Sequence, residues 1–303
     1  MDVSVIICSH NPRKDYLGKA LAALQRQTLS CESWELLLID NASDVSLDGL
    51  FDLSWHPHAS HIREKELGLT HARLCGIQHA KGDLFVFVDD DNVLDISYLE
   101  SALRIAETRK YIGAFGGSCI GEFESEPPGW IGEYMGYLAV RTVERESWGN
   151  QKDWSMLPIG AGLIVRRSIS ETYREAVLEN DLKVSLDRVG SSLISCGDED
   201  LVYTAIDEGY GIGLFPELKL NHLISSARLT EEYICRLLRG ITRSKYILQS
   251  IRGDETSGNQ SRGSIRKYFG YLRRRVLWSR RRRRFFEAFL EGKDDARTEL
   301  KTL

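Results

Sequence analysis

Three short, almost entirely apolar runs stand out in the first hundred residues, at positions 3–7 (where Ser4 is the one polar residue), 36–39 and 84–88, and each stops abruptly at polar residues. Runs of this length without alternation are typical of strands buried on both faces, as in parallel sheets. The spacing of apolar residues between them predicts helices over roughly 14–27, 69–80 and 96–109. Alternating strands and helices predict an α/β fold with a doubly wound, mostly parallel sheet flanked by helices.

The pattern is less regular beyond residue 120. We predict a strand at 157–166, helices near 168–180 and 198–208, a sheet segment at 211–220 and a helix from Leu229 to about 248. Residues 121–155 contain two prolines and several glycines, which indicates a long loop or a pair of short strands. A polar, glycine-rich linker at 253–264 precedes a final basic helix.

Composition fits a globular chain: 303 residues, 42% hydrophobic and 28% charged. No segment approaches the roughly 18 uninterrupted apolar residues of a transmembrane helix, and the first residues lack the basic region of a signal peptide. The six cysteines are scattered without a C-x-x-C pair, which favours a reducing compartment. We therefore expect a cytoplasmic protein.

The net charge of −4 conceals an asymmetry, because the segment from Arg236 to Arg284 holds 16 Lys/Arg against 2 Asp/Glu. Within it, residues 265–290 interleave basic residues with aromatic and aliphatic ones. Such a segment can lie on an anionic membrane, so we predict peripheral contact at the inner face of the membrane. A solvated helix packed on the body, a partner contact and non-specific binding to nucleic acid are alternatives; no specific nucleic acid is expected.

Polar residues follow each predicted strand of the first half. In an open parallel sheet these positions border one ligand crevice. They are Ser9 and Asn11, then Asp40, then Asp89, Asp90 and Asp91. Asp89 and Asp91 aim hard oxygen ligands at one point, as Mg²⁺ or Mn²⁺ requires, and such an ion can bridge a diphosphate. The alternative is that these acidic residues simply end a buried strand and face water.

Two further positions could carry chemistry. Asp198 and Asp200 open a predicted helix, where they would complement its dipole, or one of them could serve as a general base. His222 follows the sheet segment at 211–220, where a neutral imidazole could complete the coordination of a metal already held by aspartates. A solvated or structural histidine is the alternative.

Several spaced elements together resemble the family-2 glycosyltransferases of the GT-A fold over roughly residues 3–225. VSVIICSHNP resembles the family's opening strand and LLLIDNAS its second strand. GLTHARLCGIQHAKGDLFVFVDDDN is similar to the long signature that ends in the D-x-D loop, which maps onto Gly68, Ala72, Arg73, Gly76, Ala80, Gly82, Asp89 and Asp91. CGDEDLVYTAIDEGYGI resembles the family's Glu-Asp-x-Asp-Leu helix.

The resemblance implies roles for these residues. Asp40 would meet the nucleotide base, Arg73 would belong to the basic wall of the donor site, and Ser9, Asn11 and Asp90 would line that site. Asp89 would face the ribose and the metal, and Asp91 would hold the metal on the diphosphate.

On the acceptor side, the resemblance implies that Asp198 is the base, with Asp200 as the fallback, because Gly197 stands where the motif often has Glu. IGAGLIVRR resembles the segment that shapes the acceptor side, where Gly160 and Gly162 permit close backbone approach. Trp130 could stack on a sugar or anchor the core.

The function implied is an inverting transfer from a nucleotide-diphosphate sugar, with UDP favoured, to a hydroxyl of a glycan, lipid-linked or small-molecule acceptor, assisted by Mn²⁺ or Mg²⁺. A catalytic domain at 1–228, with its nucleotide-sugar half at about 1–120 and its acceptor half at about 121–228, would precede a helical extension at 229–303. Two other functions remain open: a haloacid-dehalogenase-like phosphohydrolase with Asp89 as nucleophile, and a non-catalytic membrane-surface or assembly protein on the same fold.

Overall fold

A mixed sheet of nine strands, flanked by helices, runs through the part of the chain that the computed structural model describes: residues 1–153, 155–190, 192–253 and 278–301. The strands are β1 Val3–Ser9, β2 Trp34–Asn41, β3 Ala59–Glu64, β4 Leu84–Asp89, β5 Asn92–Leu94, β6 Ile112–Phe123, β7 Ser147–Gly149, β8 Leu163–Arg166 and β9 Gly211–Ile224. The helices are α1 Lys14–Leu24, α2 Leu69–His79, α3 Tyr98–Thr108, α4 Arg167–Leu178, α5 Asp181–Val184, α6 Gly197–Asp207, α7 Glu231–Ile251 and α8 Arg280–Glu299. Two 3₁₀ helices cover Gly129–Leu138 and Ser226–Leu229.

The strand order is β3-β2-β1-β4-β8-β6-β9-β5, and β7 adds to β9. Strands β1 to β4 pair in parallel, as do β6 and β9, whereas the antiparallel pairs all involve the short strands β5, β7 and β8. This confirms the α/β class with a mostly parallel sheet. The register sets Ser9 beside Asp40 and Cys8 beside Asp89, so the polar residues that follow these strands lie at one edge of the sheet.

Some elements differ from the expectation. The strand expected at 157–166 is limited to β8, because Gly162 takes a left-handed φ of +70° and its carbonyl accepts a hydrogen bond from the buried Tyr98 hydroxyl at 2.6 Å. Strand β3 has no continuous apolar run, since it lies at the sheet edge and is only partly buried. The irregular stretch at 121–155 holds a 3₁₀ helix and β7.

Apolar side chains on the two faces of the sheet form two core layers. Val5 and Ile7 point into the layer that also contains residues of α1 and α3. Ile6, between them, points into the other layer, together with residues of α2, α4 and α6. Ile247 of α7 and Ala296 of α8 belong to this second layer, so the helical extension packs directly on the sheet domain. The boundary at residue 228 stays a prediction.

Helices α7 and α8 run side by side in the same direction. Their ion pairs join Glu231 to Arg281 at 2.6 Å, near the start of both helices, and Arg243 to Glu299 at 2.5 Å, near the end of α8. A side chain at Gly292 would come within 2.3 Å of the Arg239 carbonyl oxygen, so this glycine allows the close approach. The helical, basic C-terminal extension is thus confirmed. The predicted linker, apart from Gly253, and residues 265–277 of the basic segment lie outside the described residues.

A buried ion pair fastens the end of α7 to α6. The Asp200 side chain is fully buried, and its Oδ1 lies 2.6 Å from Nη2 of Arg252 while its Oδ2 lies 3.2 Å from Nζ of Lys183. Arg252 also donates to the Asp200 carbonyl at 2.7 Å and pairs with Asp207 at 2.5 Å. One arginine therefore satisfies several acceptors on the helix that carries the predicted base.

We predict that Arg252→Ala lowers the free energy of unfolding by roughly 3–5 kcal/mol, since it leaves the buried Asp200 carboxylate poorly compensated. Urea unfolding at neutral pH measures this loss. The matched control is Arg104→Ala, because Arg104 pairs with Glu217 at 3.2 Å on the surface, and such pairs contribute less than about 1 kcal/mol. Equal losses for the two variants would contradict the prediction.

Candidate functional site

A cavity of about 740 Å³ opens at the carboxyl ends of β1 and β4. It gathers residues that are far apart in the sequence and that the sequence analysis had singled out: Ser9, Arg73, Asp89, Asp90, Asp91, Gly160, Asp198 and His222. The opposite wall is formed by one face of α7, including Tyr233, Lys245 and Tyr246. The crevice expected from the strand ends is therefore present, and the helical extension encloses part of it.

The acidic loop after β4 is held by hydrogen bonds within and across the strands. The Asn92 amide oxygen accepts from the Asp89 backbone N–H at 3.3 Å, and its Nδ2 donates to Asp91 Oδ1 at 3.1 Å. The Ser9 hydroxyl, at the end of β1, donates to Asp90 Oδ2 at 2.5 Å. The loop therefore has a defined shape, with its three carboxylates turned toward the cavity.

His222 reaches this loop through the pairing of β5 with β9. That register sets Asn92 opposite His222, and the Leu223 N–H donates to the Asp91 carbonyl at 2.8 Å. As a result, His222 Nε2 lies 3.4 Å from Asp91 Oδ2. Arg228, which follows β9, contacts both, at 3.0 Å from Asp91 Oδ2 and 3.0 Å from His222 Nε2.

Burial and mutual repulsion shift the pKa values of the three aspartates in this loop by different amounts and in different directions. Burial and the Asp91 charge raise the pKa of Asp89, and the same two effects raise the pKa of Asp90 to about 7. Burial alone would raise the pKa of Asp91 as well, but the neighbouring His222 and the charge of Arg228 hold it at about 2. Asp89 and Asp90 are thus carboxylates whose charge a bound cation would stabilise.

The residues fit a divalent ion that arrives with a diphosphate. In the described ranges, no group of three or more His, Cys, Asp or Glu side chains is close enough to enclose a metal alone. Asp91 and His222 are adjacent, however, and Asp89 lies on the same loop. Mg²⁺ is usually held by one or two carboxylates together with substrate phosphates. The pair of Asp91 and His222, beside two carboxylates whose pKa values are raised, meets that requirement. Coordination by Asp89, Asp91 and His222 stays a prediction.

Asp40 and Asn11 are not among the residues that line the cavity, although their neighbours Asn41 and His10 are. The Asp40 carboxylate accepts from the backbone N–H groups of Ser43 at 3.0 Å and Leu47 at 3.2 Å, and it pairs with Arg63 at 2.6 Å. Although burial opposes it, these hydrogen bonds and the arginine charge lower the pKa of Asp40. The Asn11 backbone N–H donates to the Ser43 hydroxyl at 3.0 Å. Both residues thus shape the turn after β2, and their contact with a nucleotide stays a prediction.

The first turn of α6 separates the two candidate bases. Asp198 lines the cavity, and its Oδ2 accepts from the Gly160 backbone N–H at 2.8 Å. Asp200 points away from the cavity into the ion pair with Arg252 and Lys183. Only Asp198 of the two is placed to meet a ligand in this cavity.

The three acceptor-side candidates have different surroundings. A side chain at Gly160 would come within 2.8 Å of Asp198 Oδ2 and 3.3 Å of Arg73 Nη2, so this glycine leaves room for both groups. Gly162 faces the Tyr98 hydroxyl instead of the cavity. Trp130 packs against Phe285, with ring centroids 5.6 Å apart, so its observed contact is packing between the first 3₁₀ helix and α8.

Several lining residues were not recognised in the sequence. Arg188 and Arg228 add positive charge beside the acidic loop, and Lys245 and Gln249 come from α7. Arg228 follows His222 by six residues, but no local pattern marks it as a partner of Asp91. The helical spacing of α7 was evident, whereas the face it would turn toward the cavity was not.

Comparison with known proteins shows a family match over more than half of the chain. Residues 4–174 match the family model "Glycosyl transferase family 2". Polypeptide N-acetylgalactosaminyltransferase 3 of Drosophila melanogaster is 31% identical over 115 residues, which are 36% of this chain and 17% of that protein. The uncharacterized glycosyltransferase YwdF of Bacillus subtilis (strain 168) is 28% identical over 114 residues, 37% of this chain and 41% of that one. The match thus spans less than half the length of either relative.

Solved structures share the fold. TarS of S. aureus, residues 1–349, in complex with UDP-GlcNAc superposes with a TM-score of 0.54 and 14% identity, over 96% of this chain and 81% of that one. A second structure of the same TarS segment gives a TM-score of 0.52 over 98% of this chain and 90% of that one. The expected GT-A architecture is confirmed, and the likeness extends over the helical extension as well as the sheet domain.

We predict that Gly160→Ala costs about 1 kcal/mol of stability, because Asp198 must move and lose the hydrogen bond from the Gly160 N–H. In an Asp198→Ala background the same substitution should cost much less. Urea unfolding of the single and double variants measures this coupling. Gly132→Ala is the matched control, since a side chain there meets nothing within 4 Å. Equal costs for Gly160→Ala in the two backgrounds would contradict the prediction.

Proposed function

Because the chain belongs to glycosyl transferase family 2, we propose that it transfers a sugar from a nucleoside diphosphate donor to an acceptor hydroxyl, with inversion at the anomeric carbon. The observation that carries this proposal is the cavity that holds the acidic loop of β4 on one wall and Asp198 of α6 on another. A donor diphosphate on the first wall would present its sugar toward the second.

The wall of the cavity that we propose for the donor, formed by the acidic loop after β4 and the arginines around it, carries both positive and negative charges. Arg73, Arg188 and Arg228 line the cavity and can attract a diphosphate. Asp91 and His222 would hold a divalent ion on that diphosphate, with Asp89 beside them. When bound, Mn²⁺ or Mg²⁺ would stabilise the negative charge that develops on the leaving nucleotide. A divalent ion and the diphosphate of a nucleotide sugar carry opposite charges, so the two together would add little net charge to the site.

Asp198 is the base we propose. It would accept the proton of the acceptor hydroxyl while that oxygen bonds to the anomeric carbon and the bond to the diphosphate breaks. The backbone N–H groups of Gly160, which donates to Oδ2 at 2.8 Å, and of Glu199, which donates to Oδ1 at 3.0 Å, would hold the Asp198 carboxylate in place. Each oxygen keeps a second lone pair that could accept from the substrate. Asp200 is disfavoured for this role because Arg252 and Lys183 already occupy its carboxylate.

UDP is the nucleotide we expect. TarS, which shares the fold, has been crystallised with UDP and with UDP-GlcNAc, and the fly relative is named as an N-acetylgalactosaminyltransferase. UDP-N-acetylhexosamines are therefore the first donors to test. Family membership favours this reaction over phosphoester hydrolysis with Asp89 as nucleophile, while a non-catalytic protein on the same fold is an outcome that the experiment distinguishes.

We predict that Mn²⁺ and a UDP-sugar together raise the melting temperature, and that the protein slowly hydrolyses this donor. Asp91→Ala should lose both effects, since it removes a proposed ligand of the ion. Asp198→Asn should keep the thermal stabilisation but lose turnover by about 10²–10⁴-fold, as expected for a missing general base. Thermal shift and release of UDP are the measurements, over a panel of UDP-, GDP- and dTDP-sugars.

Asp83→Ala serves as control, because Asp83 precedes the same strand β4 at its opposite end and is exposed. It should behave like the wild type. If no nucleotide stabilised the protein while Asp89→Asn abolished cleavage of a phosphomonoester, the phosphohydrolase would replace our proposal. Donor binding without turnover under all conditions, for wild type and Asp198→Asn alike, would point to the non-catalytic protein.

We also propose that the start of α8 contacts an anionic membrane, which would suit a lipid-linked acceptor. Phe289 and Leu290 are 39% and 42% exposed, and the Phe286 ring stacks on Phe289 with centroids 6.3 Å apart. Phe289 also borders the cavity, and arginines 280–284 precede it. Among the described helices none has the length and apolar character to cross a bilayer, so the contact proposed is with its surface.

We predict that Phe286→Ser/Phe289→Ser weakens binding to phosphatidylglycerol vesicles by at least about 10-fold, since burial of one such ring contributes roughly 1.5–3 kcal/mol. Co-sedimentation with anionic and zwitterionic vesicles measures it. Ile96→Ser/Leu178→Ser is the control, because those apolar side chains are even more exposed, at 54% and 59%, but lie outside α8. Equal binding of the two double variants, or no preference for anionic vesicles, would contradict the proposal.

A further inference from the structure

Asp187, in the connection between α5 and α6, is a carboxylate that the sequence analysis did not single out. Its side chain is 2% exposed. Oδ2 accepts from the Thr70 hydroxyl at 3.1 Å and from Arg73 Nη1 at 2.8 Å, and Oδ1 accepts from the Gly197 backbone N–H at 3.2 Å. It therefore joins α2, which supplies Thr70 and Arg73, to the first residue of α6.

The Asp187 carboxylate fills the place that a side chain at position 197 would take. A Cβ added to Gly197 would lie 2.0 Å from Asp187 Oδ2 and 2.5 Å from its Cγ. These distances are far below van der Waals contact, so Gly197 and Asp187 fit only as a pair. The carboxylate also lies at the N-terminus of α6, where the exposed N–H groups and the helix dipole favour negative charge.

Arg73 connects Asp187 to the cavity. Its guanidinium is nearly buried and pairs with Asp187 through Nη1. Its Nη2 points toward Gly160 and would lie 3.3 Å from a Cβ added there. That same position is 2.8 Å from Asp198 Oδ2. Arg73 and Asp198 thus converge on Gly160. Asp187 holds Arg73 directly through their ion pair, and it holds the residue before Asp198 by accepting a hydrogen bond from the Gly197 N–H.

We infer that Asp187 is a positioning residue, which fixes Arg73 and the first turn of α6 and thereby sets Asp198 relative to the donor. The inference rests on the proposed function, because it requires Asp198 to act on a substrate. Asp187 itself does not line the cavity, so it acts through Arg73 and Gly197 and has no contact with substrate of its own.

A purely structural role would predict a different behaviour, and Glu35 provides the comparison. Glu35 is a buried carboxylate at the opposite end of the sheet, where Oε1 accepts from the Ser4 hydroxyl at 2.6 Å and from the Lys81 N–H. Loss of its charge should lower stability alone. Loss of the Asp187 charge should lower turnover as well, in protein that remains folded.

The experiment compares Asp187→Asn with Glu35→Gln at a temperature at which circular dichroism shows both to be folded. For Asp187→Asn we expect kcat to fall by about 10²-fold, because small displacements of reacting groups have effects of this size. KM for the UDP-sugar should rise by less than about 10-fold, since Arg73 is one of three arginines that line the donor side of the cavity. For Glu35→Gln we expect both constants to stay close to wild type. A kcat for Asp187→Asn within about 3-fold of wild type would overturn the inference.

A second experiment moves the carboxylate from position 187 to position 197, to test whether the location of the negative charge matters more than the residue that carries it. Asp187→Ala should lower kcat as Asp187→Asn does, and adding Gly197→Asp should restore at least about 10-fold of the loss, because the new carboxylate would extend into the vacated space beside Arg73. Gly197→Asp alone should unfold the protein or abolish activity, since Asp187 already occupies that space. Failure of the double variant to exceed Asp187→Ala, with both variants folded, would also overturn the inference.

The two proposals fail in different ways. A wild-type protein that neither binds a nucleotide nor turns over any donor would contradict the proposed function and, with it, the positioning role. An active wild type with an equally active Asp187→Asn would contradict the positioning role alone and leave the proposed function intact.

Discussion

Burial of negative charge is the constraint on which the rest of this structure depends. Buried carboxylates lie on and behind the walls of one cavity, and four of them have a basic partner: Asp40 with Arg63, Asp91 with Arg228, Asp187 with Arg73 and Asp200 with Arg252. A buried charge without a partner is costly. Among the described residues, Asp89 and Asp90 have no ion pair within 4 Å, and their pKa values are raised. Within the part of the chain that the structure describes, the charges of Asp89 and Asp90 are therefore not compensated by a basic side chain in direct contact.

The same constraint explains why the helical extension is integral to the site. Arg252, at the end of α7, neutralises Asp200 on α6, the helix that carries the proposed base, and the length of α7 between Tyr233 and Gln249 forms a wall of the cavity. Helix α8 in turn packs on α7 through ion pairs and the close approach at Gly292. A change at the C-terminal end of the chain can therefore reach the first turn of α6 through direct contacts.

Much of the fold and part of the site could be predicted because they depend on local patterns. Continuous apolar runs identify β1, β2 and β4, and parallel pairing then places the residues that follow them at one edge. His222 was a candidate from the sequence, but the strand pairing that brings it to Asp91, and the contact of Arg228, could not be predicted. His222 meets Asp91 because the three-residue strand β5 pairs with β9, and Arg228 joins them from beyond β9. Asp198 and Asp200 share one helical turn, and only the tertiary contacts of Arg252 distinguish them.

The pair of Gly197 and Asp187 shows why a departure from a sequence pattern need not remove a charge from a site. Gly197 stands where a carboxylate was expected, and taken by position alone it weakens the case for a base in this turn. In the folded protein, the carboxylate of Asp187 occupies the volume beside Gly197, accepts a hydrogen bond from the Gly197 N–H and pairs with Arg73. Electrostatic interactions depend on where a charge lies and on how well it is shielded from water. The same charge can therefore come from a different sequence position. Here this requires glycine at position 197, because a side chain there would overlap the Asp187 carboxylate.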